Sequence, residues 1–375
     1  MNSIYPGTTW ETRDPAEVSM DAARLDAFRD YVGGYGCVVR YGYMVYTWGG
    51  VSKRADIASA AKPIYAHFLF KAVEEGRIPD LDEKVARWEP RLNDINKNLN
   101  YKDRGITWRH LANQTSCYGI TEPAGAAFDY NDWQMALFWD TLFLKVYGAT
   151  YENVDEKVLH PLLTDPIQCE DNPTFMAFGI ENSPGRVGIS PRDFARFGLL
   201  YLRGGKWKGK QLISEEHATT AVTSPLSNSI PRARGEAAEM IPGQRSIGSR
   251  AVPDNQCDHF GSYSWLWWVN GVDRDNTRMW HHAPPDTFGA FGHGGIRAVW
   301  VIPSMDIVVS CNSANMKTWI SGPENPTSRA MKLLIESVLT KSMSEKVGPQ
   351  RHKDAKRRSK SVVPKKPKSN SVSRL

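Results

Sequence analysis

Ser59 and Lys62 are the residues in this sequence whose types and spacing most directly suggest catalysis. They lie in the apolar stretch DIASAAKPI, residues 56 to 64, where Pro63 follows the lysine at once. Residues three apart share one face of a helical turn, so the Lys62 amine could serve the Ser59 hydroxyl as a base. A serine hydroxyl needs such a base to attack a carbonyl carbon at neutral pH. The alternative is a helix that begins near Ser59 with its lysine in solvent.

Two further short stretches contain residues suited to proton transfer or substrate binding. They are Tyr130-Asn131-Asp132 and His293-Gly294-Gly295. A tyrosine hydroxyl can pass a proton to a leaving group. Glycines allow another backbone, such as that of a substrate, to approach closely. Each stretch also has a structural interpretation, in which Tyr130 is a packed loop aromatic and His293 belongs to an ordinary glycine-rich turn.

The first half of the chain is predicted to contain a hairpin and several helices. Helical periodicity over 19–32 predicts a helix with Ser19 as its N-cap. The β-branched and aromatic residues that follow predict two strands that turn at Tyr41-Gly42. A long helix is predicted from Ser59 to Gly76, and mostly helical structure with polar loops continues from there to about residue 180.

The second half is predicted to contain one long helix, a long loop and several strands. The predictions are a helix capped by Ser190 and closed by Gly204-Gly205, a surface loop over 222–258, a core strand over 263–269, a hairpin over 298–311 and a closing helix over 331–340. We interpret the strand YSWLWWV (263–269) as part of the core rather than as a ligand platform. Strands near both ends of the chain predict a sheet flanked by helices.

The composition indicates a folded body with a basic C-terminal tail. Hydrophobic residues make up 41% of the 375 residues and aromatic residues 11%. The net charge is +6, but residues 346–375 hold eleven Lys and Arg against the single acid Asp354, so the remainder sums to about −4. We predict a folded unit over 1–345 and a disordered tail over 346–375, which could contact anionic polymers non-specifically. The acidic body gives no support for nucleic-acid binding.

The cysteines and the N-terminus predict a cytoplasmic protein. The five cysteines are odd in number and form no Cys-x-x-Cys pair, which is typical of reduced thiols. The sequence MNSIYPGTTWETRDP lacks the features of a signal peptide. No stretch approaches 18 consecutive apolar residues, so no membrane span is predicted.

Taken together, the three short stretches resemble the serine β-lactamase and penicillin-binding-protein superfamily, and most closely its class C-like β-lactamase-related esterases and amidases. The similarity covers roughly residues 20 to 340 and includes SPRDFARFGLLYLRGGKWKGKQLIS. The resemblance implies an α/β (α+β) fold of the β-lactamase/transpeptidase type. Its mixed α/β domain, with an antiparallel sheet, would comprise about 1–63 and 181–345, and its helical domain about 64–180.

The resemblance also implies catalytic roles. Ser59 would be the nucleophile that forms an acyl-enzyme, and Lys62 would take or relay its proton. Tyr130 would pass a proton to the leaving group. The backbone N–H groups of Ser59 and Ile296 would form the oxyanion hole. No metal or organic cofactor is implied.

The substrate-binding positions implied by the resemblance depart from the family's usual pattern. They are Asn131, Asp132, His293, Gly294 and Gly295. The family usually has Tyr-x-Asn, so Asp132 stands where an amide is expected, and His293 stands where many relatives have a lysine. A carboxylate at position 132 would repel a substrate carboxylate. We therefore predict an esterase or amidase for a small-molecule or peptide-like acyl substrate, rather than an efficient β-lactamase.

A catalytically inactive binding protein of the same fold is the main alternative. A binding protein has no need to keep Ser59, Lys62, Tyr130 and His293 together, which favours the enzyme. A metal site is not supported, because the cysteine and histidines between positions 257 and 282 lack the His-x-x-x-His spacing. The absence of G-x-S-x-G argues against an α/β-hydrolase.

Overall fold

A seven-stranded antiparallel sheet, assembled from both ends of the chain, forms the centre of the fold. The structure is a computed structural model that describes residues 4–177 and 185–339. The predicted disordered tail over 346–375 lies outside these residues.

The described strands fall into one large sheet, one small sheet and one ribbon. In chain order they are β1 (Tyr35–Arg40), β2 (Tyr43–Trp48), β3 (Ala55–Asp56), β4 (Thr174–Ala177), β5 (Arg186–Ile189), β6 (Lys206–Trp207), β7 (Lys210–Gln211), β8 (Tyr263–Ser264), β9 (Trp267–Val269), β10 (Phe288–Gly292), β11 (Arg297–Ile302) and β12 (Ile307–Asn312). The large sheet has the order β2-β1-β12-β11-β10-β9-β8. The small sheet has the order β3-β5-β4, and β6 pairs with β7.

The helices fill the stretch between the strands and cover the large sheet. The α-helices are α1 (Ala22–Val32), α2 (Lys62–Glu74), α3 (Trp108–Ala112), α4 (Asp132–Trp139), α5 (Pro191–Leu202), α6 (Glu215–Thr223) and α7 (Pro326–Glu336). Two π-helical segments, Asp140–Val146 and Asp155–Thr164, follow α4, and short 3₁₀ turns lie at 15–18, 58–61, 85–87, 90–93, 97–99, 102–105, 293–295 and 303–305.

Helices α1 and α5 pack on opposite faces of the large sheet. Phe28 of α1 makes edge contacts with Trp48 of β2 and Trp300 of β11. Neighbouring strand residues point to opposite faces, so Val299 faces the other side. There α5 approaches closely at Gly198, where a Cβ would lie 2.9 Å from Val299 Cγ2. Two helical layers therefore enclose the sheet.

Several predicted boundaries are corrected by the structure. Asp21, not Ser19, caps α1, because its carboxylate accepts the N–H groups of Ala23 and Arg24, while Ser19 ends the preceding 3₁₀ turn with φ 57°. The predicted single strand over 263–269 is a hairpin, β8 and β9, that turns at two residues with positive φ.

Other corrections concern elements that the sequence placed wrongly or missed. Strand β10 was not predicted, because its sequence FGAFG contains two glycines and has low strand propensity. Helix α7 begins at Pro326, well before the predicted 331, because Asn325 caps it. The stretch predicted as helical up to residue 180 ends in strand β4, which pairs with β5.

The described residues contain no helix long and apolar enough to cross a membrane. Within the same residues, no three or more His, Cys, Asp or Glu side chains are grouped so as to hold a metal ion.

Candidate active site

Ser59 lies in a 3₁₀ turn that leads directly into helix α2. Pro63 has no N–H with which to bond the Ser59 carbonyl in α-helical fashion, and that carbonyl instead accepts the N–H of Lys62. Residues three apart are eclipsed in a 3₁₀ helix, so the two side chains stand one above the other. Lys62 Nζ lies 3.0 Å from Ser59 Oγ. The predicted helix from Ser59 to Gly76 is thus a 3₁₀ turn followed by α2, which ends at Glu74.

The turn that carries Ser59 is held from both sides. Ala58 adopts φ 49°, a conformation that costs a non-glycine residue energy and often occurs at functional sites. Its N–H donates to the Asp56 carboxylate at 2.8 Å, and Arg186 pairs with the same carboxylate. On the other side β10 runs against the turn, so that a Cβ on Gly292 would lie 2.5 Å from the Ile57 carbonyl oxygen.

Tyr130 and Lys62 form a buried pair beside the Ser59 hydroxyl. The Lys62 ammonium lies 4.4 Å from the centre of the Tyr130 ring, and the two residues are 4% and 5% exposed. Burial raises the pKa of Tyr130, against hydrogen bonds to Lys62 and Ser59 and the charge of Lys62, which lower it. Burial lowers the pKa of Lys62, but Tyr130 and Asp132 outweigh burial and hold the pKa above its ordinary value.

Asp132 is the anionic neighbour of Lys62. Its Oδ1 lies 3.7 Å from Lys62 Nζ, and the pair is almost wholly buried. Its Oδ2 accepts the backbone N–H of Ser249 at 2.8 Å and the side-chain amide of Gln256 at 3.0 Å. The Asp132 N–H donates to Asp254, which also accepts from Gln256. Donors from the segment 247–257 therefore fix the carboxylate beside the lysine.

His293 is held in a neutral form by Arg297. The Arg297 guanidinium donates to His293 Nδ1 at 2.6 Å. Arginine has no acceptor, so Nδ1 must carry a lone pair and Nε2 the proton. Partial desolvation, Arg297 and Arg186 all lower the pKa of His293, which agrees with this assignment. The side chain offers one N–H donor and no positive charge.

Ser59 lies where two clefts adjoin, sharing Ser59, Gln256 and His293 in their walls. The polar cleft has a volume of about 240 Å³ and is lined by Lys62, Asp132, Arg186 and Ser249. The aromatic cleft has a volume of about 140 Å³ and is lined by Tyr130, Trp268, Phe291 and Trp319. Ser59 is therefore a wall residue of both clefts.

The family is decided by a comparison of the whole sequence. The model of the β-lactamase family matches residues 22–319. The chain belongs to the β-lactamase family. Members of this family are serine hydrolases with the β-lactamase/transpeptidase-like fold, as the sequence predicted.

Solved structures agree on the fold of this β-lactamase-family chain. A proposed 6-aminohexanoate-dimer hydrolase from Bacillus anthracis is 16% identical, with 89% of this chain and 87% of that one covered and a TM-score of 0.57. EstCE1, a hydrolase with promiscuous acyltransferase activity, is 13% identical, with 87% and 99% covered and a TM-score of 0.57. A class C β-lactamase in complex with cefoxitin is 13% identical, with 86% and 99% covered and a TM-score of 0.54. No curated protein matches the chain.

Asn131, predicted to contact substrate, is turned away from both clefts. Its side chain caps α4 by accepting the N–H of Gln134 at 2.7 Å and donates to the Asp129 carboxylate. Because Asn131 is buried and engaged in this way, Asp132 is the residue that the β-lactamase-family chain presents beside Lys62.

The turn after His293 reaches the clefts only in part. Gly294 lines the aromatic cleft, but Gly295 and Ile296 line neither cleft. Both glycines have positive φ, and a Cβ on Gly294 would lie 2.3 Å from the Lys317 carbonyl oxygen. These glycines therefore serve the turn's own backbone and its packing, and the proposed role of the Ile296 N–H in the oxyanion hole stays a prediction.

The sequence analysis did not predict many of the residues that line the two clefts. The loop predicted over 222–258 contributes Gly248, Ser249, Gln256 and Cys257 to the clefts. Trp268, assigned to a core strand, lines the aromatic cleft, whereas its neighbour Trp267 stacks on Phe197 in the core. The hairpin explains this difference, because adjacent residues on β9 face opposite sides of the sheet. The available signal for Phe291 was the pattern FGAFG, in which each phenylalanine is followed by a glycine.

Proposed function

We propose that this protein is a serine hydrolase that forms an acyl-enzyme on Ser59 and acts on esters or amides in preference to β-lactams that carry a carboxylate. The observation that carries the proposal is the contact of 3.0 Å between Lys62 Nζ and Ser59 Oγ, with Tyr130 against the same lysine. A nucleophile within hydrogen-bond reach of a base, which is itself held by a third group, is the arrangement that activates a hydroxyl.

In the resting state, the Lys62–Tyr130 pair carries one proton more than it can hold while acting as a base for Ser59. With its pKa raised, Lys62 is an ammonium and has no lone pair, while burial keeps Tyr130 a neutral phenol. The two groups are coupled, so the pKa for the loss of one proton is a property of the pair rather than of either residue. After that loss, the amine or the phenolate can accept the proton of Ser59.

In the reaction that follows, the proton taken from Ser59 is given to the leaving group of the substrate. Ser59 Oγ bonds to the carbonyl carbon as its proton moves to the Lys62–Tyr130 pair. The bond to the leaving group breaks, and the pair gives the proton to the leaving oxygen or nitrogen. Water attacks the acyl-enzyme in the same manner and releases the acid and free Ser59. The Ser59 backbone N–H, at the start of the turn into α2, is a suitable donor to the tetrahedral oxyanion.

Two features of the site favour neutral esters and amides. The Asp132 carboxylate lies beside Lys62, where a substrate carboxylate would be repelled. His293 is neutral at neutral pH because Arg297 occupies Nδ1, so it cannot replace the cationic lysine of many relatives. Neither feature interferes with an uncharged carbonyl substrate.

Hydrolysis of nitrophenyl acetate by the purified protein tests the proposal. The wild type should release nitrophenol, and Ser59→Ala should reduce the rate to background. Lys62→Ala should lower kcat by several orders of magnitude, because the Lys62–Tyr130 pair acts on the barrier. Ser304→Ala, at an exposed position in the turn 303–305, is the control and should retain wild-type activity. Wild-type activity that survives Ser59→Ala would overturn the proposal.

A further inference from the structure

The aromatic cleft has a size and a wall that suit one particular kind of group. Trp268 and Trp319 meet at 4.6 Å in an edge-to-face contact, and Phe291 lies 5.2 Å from Trp319. Tyr130 adds a fourth ring at 6.2 Å from Trp268. These are distances at which aromatic rings attract one another, and a further ring inserted among them would make contacts of the same type.

The volume of the aromatic cleft matches that of one aromatic ring. The aromatic cleft measures about 140 Å³. An apolar protein cavity of about 150 Å³ accommodates benzene, so the aromatic cleft has room for a single six-membered ring. Trp268 and Phe291 are each 4% exposed, so their positions are fixed by packing on the sheet.

The position of Tyr130 identifies which part of the substrate lies there. Tyr130 is a wall of the aromatic cleft and is hydrogen-bonded to Lys62 and Ser59, whereas Lys62 and Asp132 are walls of the polar cleft. The group whose oxygen or nitrogen takes a proton from Tyr130 must lie on the side of Tyr130. That group is the leaving group, and the acyl part then extends into the polar cleft.

We propose that the aromatic cleft binds a single aromatic ring on the alcohol or amine part of the substrate, so that the preferred substrates are benzyl-type or aryl esters and amides whose acyl part lies in the polar cleft. This inference rests on the proposed function for its orientation. Binding of the ring itself requires only the walls of the aromatic cleft.

Matched esters test the orientation. The ratio of kcat/KM for benzyl acetate over ethyl acetate should be about 10 to 100, whereas a ring on the acyl side, as in ethyl phenylacetate, should give no such advantage over ethyl butyrate. Trp319→Leu should bring the first ratio close to 1. Trp88→Leu, which removes an indole that packs on Trp108 outside both clefts, should leave the ratio unchanged. A benzyl ratio near 1 in the wild type, or a preference for the acyl-side ring, would overturn the proposal.

Binding of benzyl alcohol separates this inference from the proposed function. Ligand-observed NMR should detect binding to wild type and to Ser59→Ala, and loss of binding in Trp319→Leu. If no ester is hydrolysed but benzyl alcohol binds in this pattern, the proposed function fails and the ring site stands. If esters are hydrolysed and benzyl alcohol binds equally to Trp319→Leu, the ring site fails and the proposed function stands.

Discussion

Gly248 lies directly against the carboxylate of Asp132. A Cβ at position 248 would stand 2.2 Å from Asp132 Oδ2, the oxygen that also accepts the Ser249 N–H. The segment 247–257 can therefore wrap the carboxylate only because residue 248 has no side chain. Asp132 stands where the family usually has an amide, and its carboxylate is held by the same segment, 247–257, that lines both clefts.

Gly248→Ala should disturb this arrangement and the chemistry that depends on it. The added methyl group must displace either the Asp132 carboxylate or the loop, so we expect kcat/KM to fall about tenfold and the melting temperature to fall by a few degrees. Ester hydrolysis and thermal unfolding measure the two effects. Gly105→Ala is a suitable control, because a Cβ there meets nothing within 4 Å. Wild-type activity in Gly248→Ala would show that the contact is irrelevant to the site.

Asp132→Asn should shift the pH dependence of the reaction. The carboxylate stabilises the Lys62 ammonium, so its removal lowers the pKa of the Lys62–Tyr130 pair. The rising limb of kcat/KM against pH should therefore move to lower pH in Asp132→Asn. Asp94→Asn, at an exposed position, should leave the limb in place. An unmoved limb in Asp132→Asn would mean that Asp132 does not tune the pair.

Asp129 should make the protein less stable as pH rises from about 4 to about 7. Burial raises the pKa of Asp129 to about 7, against the hydrogen bond from Asn131, and its Oδ1 has no partner among the described residues. Between the two pKa values the folded state holds a proton that the unfolded state has released, so stability falls with pH, by up to about 1.4 kcal/mol per unit.

Urea unfolding at several pH values measures this effect. Above about pH 7 both states are ionised and the contribution of Asp129 becomes constant. Asp129→Asn should lose less stability between pH 5 and pH 8 than the wild type does. The pKa of Asp129 also depends on the charges of Glu122, Asp254 and Lys102. The quantity to compare is therefore the difference in the free energy of unfolding between the two proteins at each pH. If the free energies of unfolding of the wild type and of Asp129→Asn change in parallel with pH, Asp129 is not the group responsible.

Ile296→Pro tests the second oxyanion donor. Residue 296 has φ −57°, which proline can adopt, so the substitution removes the N–H with little change in backbone conformation. If that N–H binds the oxyanion, kcat should fall about 100- to 1,000-fold. Ile296→Ala retains the N–H and should keep most of the activity. A proline variant that folds and remains active would exclude Ile296 from the oxyanion hole.

Local chemistry accounts for what the sequence predicted well. Ser59 and Lys62 are joined within one turn, and Pro63 makes that turn 3₁₀, so their contact follows from three residues. The first hairpin likewise depends on a local signal, since Tyr41-Gly42 separates β1 from β2. Periodicity and turn residues act over short distances in the chain, and they were sufficient for these elements.

Long-range contacts account for what the sequence did not reveal. Asp132 is fixed by Ser249 and Gln256, which are 117 and 124 residues away. Asn131 was expected to meet substrate, but its role as a cap of α4 became visible only with the helix in place. Strand β10 is a strand because β9 and β11 pair with it, although its own residues have low strand propensity. No local pattern encodes such partners.

Covalent labelling at Ser59 tests the central claim most directly. The purified protein is incubated with a fluorophosphonate probe, digested, and analysed by mass spectrometry to locate the modified residue. The account predicts one probe per chain on the peptide that contains Ser59, and no labelling of Ser59→Ala. A wild-type protein that stays unlabelled while it folds normally, or a label on a different serine, would contradict it.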